Sequence, residues 1–360
     1  MTKAPTLQTV VDELEAQNLL PPKALGQIVD TLTVFAGKPP TPWFVSALIG
    51  ISAWISVIPF LGFLFISKIV ASPESAIVVG AVFVIGSISL HYLKRNSLFL
   101  DQLALALNLT GQVLFIGGIF AERNVATAAM ATWFLEIVLI ASFRDSILRF
   151  LAVLIATGAA LVLLHEFDIY QASHVLIILI AAGAIWYWIA EASHLTDDMM
   201  VTLYQPLGYG FVIALQMLLI LSILPDYKPA PHLEWEYSTL GLTVLLLALE
   251  YHLLHTNKIP IFSAPSLIIF TSTVLVAALL YQAPGIIASI IVILLGFQRG
   301  NRVLMGLALI FLTVFFIAYY YYLDISLLMK SVTLTSAGLT LLALRFVLKR
   351  VFPLLEERRS

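Results

Sequence analysis

Cysteine is absent from all 360 residues, which excludes disulfides, thiolate metal sites and cysteine nucleophiles. Charge is almost as scarce. Only 11% of the residues are Asp, Glu, Lys or Arg, against about 25% in a soluble globular domain, too few to cover a water-facing surface. The net charge of −2, with no basic tail and no RNP, KH or zinc-finger pattern, argues against a nucleic-acid partner. The motifs H-E-x-x-H, G-x-S-x-G and the P-loop are also missing, and "HEFDI" at 165 lacks the second histidine that zinc requires. No enzyme activity and no cofactor are therefore expected. The first apolar run begins near Trp43, too far into the chain for a cleaved signal peptide, and no A-x-A-like site precedes it.

What the chain does contain is hydrophobicity, at 61% of residues. It comes in continuous runs, which read as helices crossing a bilayer and not as the alternating strands of a barrel. The expectation is an all-α membrane protein of about twelve transmembrane helices, at roughly 44–67, 75–92, 98–120, 125–142, 147–165, 173–191, 207–224, 237–254, 262–281, 284–298, 302–322 and 326–348. The run at 284–298 is short, so ten or eleven crossings are the alternative. Residues 1–42 differ. Leu7, Val10, Val11 and Leu14 line one helical face, and Ala24, Leu25, Ile28, Val29 and Leu32 another after the "LPPKA" break. This predicts a cytosolic amphipathic helical hairpin, followed by a transmembrane domain over 43–350 and a short charged tail over 351–360.

Placing the N-terminus in the cytosol puts fifteen Lys and Arg in inside segments and three (Lys68, Arg123, Lys228) outside, with Lys330 left within a span. The positive-inside rule expects such a bias, giving a multi-pass topology with both chain ends inside. A faint internal repeat is also visible. "EFDIYQASHVLIILIAAGAIW" (166–186) resembles "YLDISLLMKSVTLTSAGLTLL" (322–342) at an offset of 156, and "FRDSILRF" resembles "FQRGNRVL". Two parallel six-helix repeats, as some transporters have, would produce this; chance likeness of two similarly capped apolar helices is the alternative.

Ionisable groups inside hydrocarbon cost about 2.5–3.5 kcal/mol each on insertion scales, so they face protein or water. Glu136 is deepest, eleven residues into its span, with Ala128, Ala129 and Thr132 on its stripe. It is either an ion- or proton-binding group or a hydrogen-bonded joint between helices. Asp101, Asn108 and Gln112 share one side of a span whose gaps are filled by Ala104 and Gly111. They either line a polar passage or, as is commoner, form a close seam. Glu250, with His252 and His255, sits near the cytosolic end of its span, where interfacial solvation accounts for it; His91 is read the same way. Lys330 lies just over one turn into the last span, which Asp324 or Ser326 can cap. Its stem can carry the ammonium to the interface, or it pairs with Asp168, Glu166 or Glu136. Glu191, His194, Asp197 and Asp198 form an exposed cluster with weak divalent-cation spacing; no metal site is assigned to it.

The chain resembles a bacterial family, domain of unknown function 4401. The likeness rests on "RGNRVL" at 299–304, on "YYYYLDI" running into "LLMKS", on the later G-x-x-L-L at 338–342, and on "ALNLTGQ" at 106–112. The resemblance implies a bacterial inner membrane and a companion protein with a GDYXXLXY domain, but no reaction. It also implies a lysine kept at 330, for which snorkelling alone is a weaker account. Two functions follow as expectations. A transporter-like protein with buried ionisable residues is favoured over a non-catalytic scaffold or interaction subunit of a membrane complex. The basic loop that marks major-facilitator carriers is not present in "HYLKRNSLFLDQ".

Overall fold

The computed structural model describes residues 55, 58–93, 98–143, 145–190, 198–221, 235–322 and scattered positions between 326 and 346. The expected hairpin over 1–42, the tail over 351–360, Asp324, Lys330 and the cluster residues Glu191, His194 and Asp197 lie outside the described residues. Among the described residues all regular structure is helical. After a helical stretch at 58–66 come α1 (Pro73–Leu93), α2 (Leu98–Glu122), α3 (Val125–Ser142), α4 (Ser146–Glu166), α5 (Ala172–Ala190), α6 (Asp198–Leu221), α7 (Glu236–Thr256), α8 (Ala264–Leu279), α9 (Pro284–Arg299) and α10 (Arg302–Tyr322).

The breaks between helices follow from local chemistry. Asn124 caps α3, its Oδ1 accepting the Thr127 N–H at 2.8 Å. Asp145 caps α4, accepting from Ile147 and Leu148 at 2.9 and 3.0 Å. Pro284 opens α9 at a position where its missing N–H costs nothing. Four helix ends close in one way. Lys68, Asp168, Lys258 and Gly300 take positive φ, and the next residue donates its N–H back five positions: Ile69 to Leu64, Ile169 to Leu164, Ile259 to Leu254, Asn301 to Gly296. This is the Schellman closure, in which orphaned carbonyls gain a donor. At Lys68, Asp168 and Lys258 the left-handed backbone costs about 1–2 kcal/mol that glycine would avoid.

The helices form a bundle. α1 packs along α2, α3 along α4 and α9 along α10; α6 packs on α4 and α5, and α7 packs on α5, α8 and α9. The main apolar core runs from α4 to α10. The run that is shortest in the sequence proves the most enclosed: ten of the sixteen residues of α9 are buried, and it touches α5, α6, α7 and α10.

Six helices (α1 to α5 and α7) are long and apolar enough to cross a membrane, and α8, α9 and parts of α6 and α10 form shorter apolar helices. In those six, only 22–44% of the apolar window is buried inside the protein. Much of the rest faces outward, including Val113 at 71%, Trp186 at 69% and Leu240 at 65% exposure. Helices that are apolar all round suit a lipid solvent, not water.

Candidate functional site

Asp101, Asn108 and Gln112 fall on α2 where it meets α1. Asn108 is fully buried; its Nδ2 donates to Ser87 Oγ of α1 at 2.7 Å, and Gln112 Nε2 donates to its Oδ1 at 2.8 Å. Ser87 in turn donates to the Val84 carbonyl at 2.7 Å. Glycines bring the two backbones together. A methyl group at Gly80 would lie 2.5 Å from the Phe115 nitrogen, one at Gly111 2.8 Å from the Gly80 carbonyl oxygen, and one at Gly118 2.7 Å from the Pro73 oxygen. Ala104, Gly111 and Gly118 recur every seven residues, the period of a left-handed helix pair. The geometry is that of a closed seam with no room for a polar passage. Asp101, half-buried, stands in the first turn of α2, where a helix N-terminus favours an acid.

Glu136 sits on α3, which packs on α2 and α4. It is 0% exposed, and neither carboxylate oxygen has a hydrogen-bond partner among the described residues. Thr132, one turn earlier, donates to the Ala128 carbonyl at 2.7 Å. One turn later, the Arg149 guanidinium of α4 donates to the Ile140 carbonyl at 3.3 Å. An unpartnered ionised carboxylate in such a setting costs several kcal/mol, so a proton or a bound cation must neutralise it.

Glu250 is deeper than its sequence position suggests. α7 continues to Thr256, and the side chain is only 8% exposed. The Thr273 hydroxyl of α8 donates to its Oε1 at 2.6 Å, while its Oε2 is buried with no partner among the described residues. Glu250 lines a cleft of about 320 Å³ between α7, α8 and α9, whose other walls include Leu253, Ile269, Ile290 and Leu294. Simple interfacial solvation therefore does not account for Glu250. Nor does it for His91, 8% exposed and stacked on Phe143 with ring centroids 4.4 Å apart.

The "RGNR" turn is explained residue by residue. Arg299 donates through Nε to the Trp188 carbonyl at 2.7 Å and through Nη2 to the Trp188 and Ile189 carbonyls, capping the C-terminus of α5. Gly300 supplies the left-handed closure of α9. Asn301 caps α10, its Oδ1 accepting from Val303 and Leu304 at 3.1 and 3.0 Å, and its Nδ2 donates to the Tyr209 hydroxyl at 2.7 Å. Of the two caps foreseen for the last span, Ser326 Oγ accepts the Met329 N–H at 3.3 Å.

Sequence reasoning missed three features. Gln216 of α6 is fully buried and neither amide atom has a partner among the described residues; an amide inside "IALQMLLIL" was the available signal. His174 Nδ1 lies 2.7 Å from Ser238 Oγ across α5 and α7, with Trp235 and Tyr237 edge-on at 5.7 Å. Thr273 gave no signal, since nothing in one sequence shows that α8 brings it to Glu250. On the loop between α4 and α5, outside the helices, Asp168 accepts the Tyr170 hydroxyl at 2.8 Å. That bond, helped by slight burial and the charges of Asp168 and Glu166, holds the phenol above its ordinary range.

An all-helical bundle with six span-length apolar helices and apolar side chains outside as well as inside defines the class: an integral membrane protein that crosses the bilayer several times. Within that class, residues 42–351 match the family described as Domain of unknown function (DUF4401), and the chain belongs to it. No curated protein and no solved structure matches the chain.

Proposed function

We propose that this chain is a transporter-like protein of the bacterial inner membrane, with about twelve spans, both ends in the cytosol and no enzymatic activity of its own. The observation that carries the reading is the pair of buried carboxylates: neither oxygen of Glu136, and not Oε2 of Glu250, has a donor among the described residues. A structural role needs satisfied polar groups; a group that binds and releases an ion or proton needs capacity left open. The six-plus-six arrangement is supported by register. Ser146 to Arg302 and Glu166 to Tyr322 are each 156 positions, so α4 and α10 have matching bounds and equal length. The caps Asp145 and Asn301 keep the same offset and accept from the same two following N–H groups.

The test uses a deletion strain and its phenotype. Glu136→Gln is expected to accumulate to the wild-type level and to fail to restore the phenotype. Full restoration overturns proton- or cation-coupled transport through Glu136. The alternative, a scaffold for a GDYXXLXY-type companion, is supported by the α1–α2 seam, whose polar groups are used up in holding helices together. It predicts that Glu136→Gln restores the phenotype and that the companion copurifies with the chain unless residues 1–42 are deleted.

A further inference from the structure

The cleft beside Glu250 has the chemistry of a binding site for a compact lipophilic cation, and we infer that it takes an organic ammonium ion with an apolar body. Three observations converge. The walls are aliphatic, with Leu253 from α7, Ile269 from α8 and Ile290 and Leu294 from α9. One acidic residue, Glu250, lies among them, more than nine-tenths buried, with Oε1 held by Thr273 and Oε2 without a partner among the described residues. The remaining polar group there, Ser272, is already committed, its hydroxyl donating to the Ile268 carbonyl at 2.7 Å. The cleft therefore offers one acidic contact and otherwise apolar surface. Anions and neutral polar solutes find no donors in it. A sugar or peptide would leave its hydroxyls or amides unsatisfied. An inorganic cation would keep too few oxygen ligands, since sodium-sized and divalent ions require several. An ammonium on a hydrocarbon body satisfies both parts, because the charge is set against the acid of Glu250 and the body meets the aliphatic walls.

Size agrees. Pockets for small organic ligands start near about 300 Å³, and an apolar cavity of about 150 Å³ holds benzene. A volume of about 320 Å³ accommodates a phenyl ring with a trimethylammonium group. No aromatic ring is among the lining residues, so selectivity for charge depends on Glu250 itself and not on a cation–π cage.

The inference rests on reading Glu250 as a ligand-facing group, as above, but requires no translocation. Equilibrium binding to purified full-length protein in phosphatidylcholine nanodiscs therefore tests it separately from the strain assay. The probes are phenyltrimethylammonium and its uncharged isostere tert-butylbenzene, measured by calorimetry. Expected is saturable one-to-one binding of the cation, at least tenfold tighter than the isostere. Glu250→Gln should lose that preference while keeping the isostere within about twofold. Should Glu250→Gln fold poorly, Ile290→Trp fills the cleft from α9, leaves the acid in place and should abolish binding of both probes. Equal affinity for cation and isostere in the wild type, undiminished cation binding in either variant, or no saturable binding at all overturns the inference.

Discussion

The α1–α2 hairpin and the α7–α8–α9 corner are built from similar materials and reach opposite ends. Both place polar side chains inside apolar helices. In the hairpin, glycines at 80, 111 and 118 bring backbones into contact, and Ser87, Asn108 and Gln112 satisfy one another in a chain of bonds at 2.7–2.8 Å. In the corner the helices stand apart over about 320 Å³, and Glu250 is half-satisfied. Close packing with its polar groups paired holds a structure together. Loose packing with capacity left over costs stability and is kept where a ligand completes the set.

The largest effect that can break this comparison is in the hairpin. Gly111→Leu should destabilise by about 3 kcal/mol or more, because even its Cβ meets the α1 backbone; unfolding in a denaturing-detergent titration checks it, and a change under a third of that removes the seam. Asn108→Ala should cost about 1 kcal/mol in the same assay, leaving Ser87 and Gln112 short of a partner. Arg299→Ala should cost a similar amount by uncapping α5, with lysine restoring only part, since one ammonium cannot replace the planar fork. Glu250→Gln should change stability by less than about 0.5 kcal/mol, because the Thr273 hydroxyl can still donate to the amide oxygen. A cost as large as that of Asn108→Ala would make the corner another structural joint.

The smallest effect lies outside the helices. A phenol held above its ordinary range is stabilised in the folded state as the protonated form. Its contribution is therefore complete below the unfolded pKa and disappears as pH rises through the higher folded value. Tyr170→Phe should remove one late-titrating phenol from the alkaline absorbance curve. A difference curve between the two proteins with its midpoint at or below pH 10 would dispose of the Asp168 contact.

Much of this was legible beforehand, and the reason is periodicity. The seven- and four-residue spacings of Asp101, Asn108 and Gln112, filled by Ala104 and Gly111, describe one helix face, and a face is a property of a single segment. Helix bounds were legible for the same reason, since Asn124, Asp145, Pro284 and Gly300 act on their own neighbours. What one helix meets is different. Gly80 and Ser87 come from α1 and Thr273 from α8, and no spacing within α2 or α7 encodes them. The depth of Glu250 was underestimated because α7 runs on to Thr256 and because α8 and α9 stand around the carboxyl. Gln216 was passed over as one amide among apolar residues, though like Glu136 it is fully buried with no partner among the described residues.

The absence of cysteine makes the most direct test clean. Ser87→Cys places a thiol in the seam and Ser272→Cys places one in the cleft, each by exchanging a single oxygen for sulfur. Treated with a small membrane-permeant maleimide in nanodiscs and read by mass spectrometry, the cleft thiol is predicted to be modified at least tenfold faster than the seam thiol. Equal rates, or faster labelling at 87, would contradict the division between a closed joint and an open site.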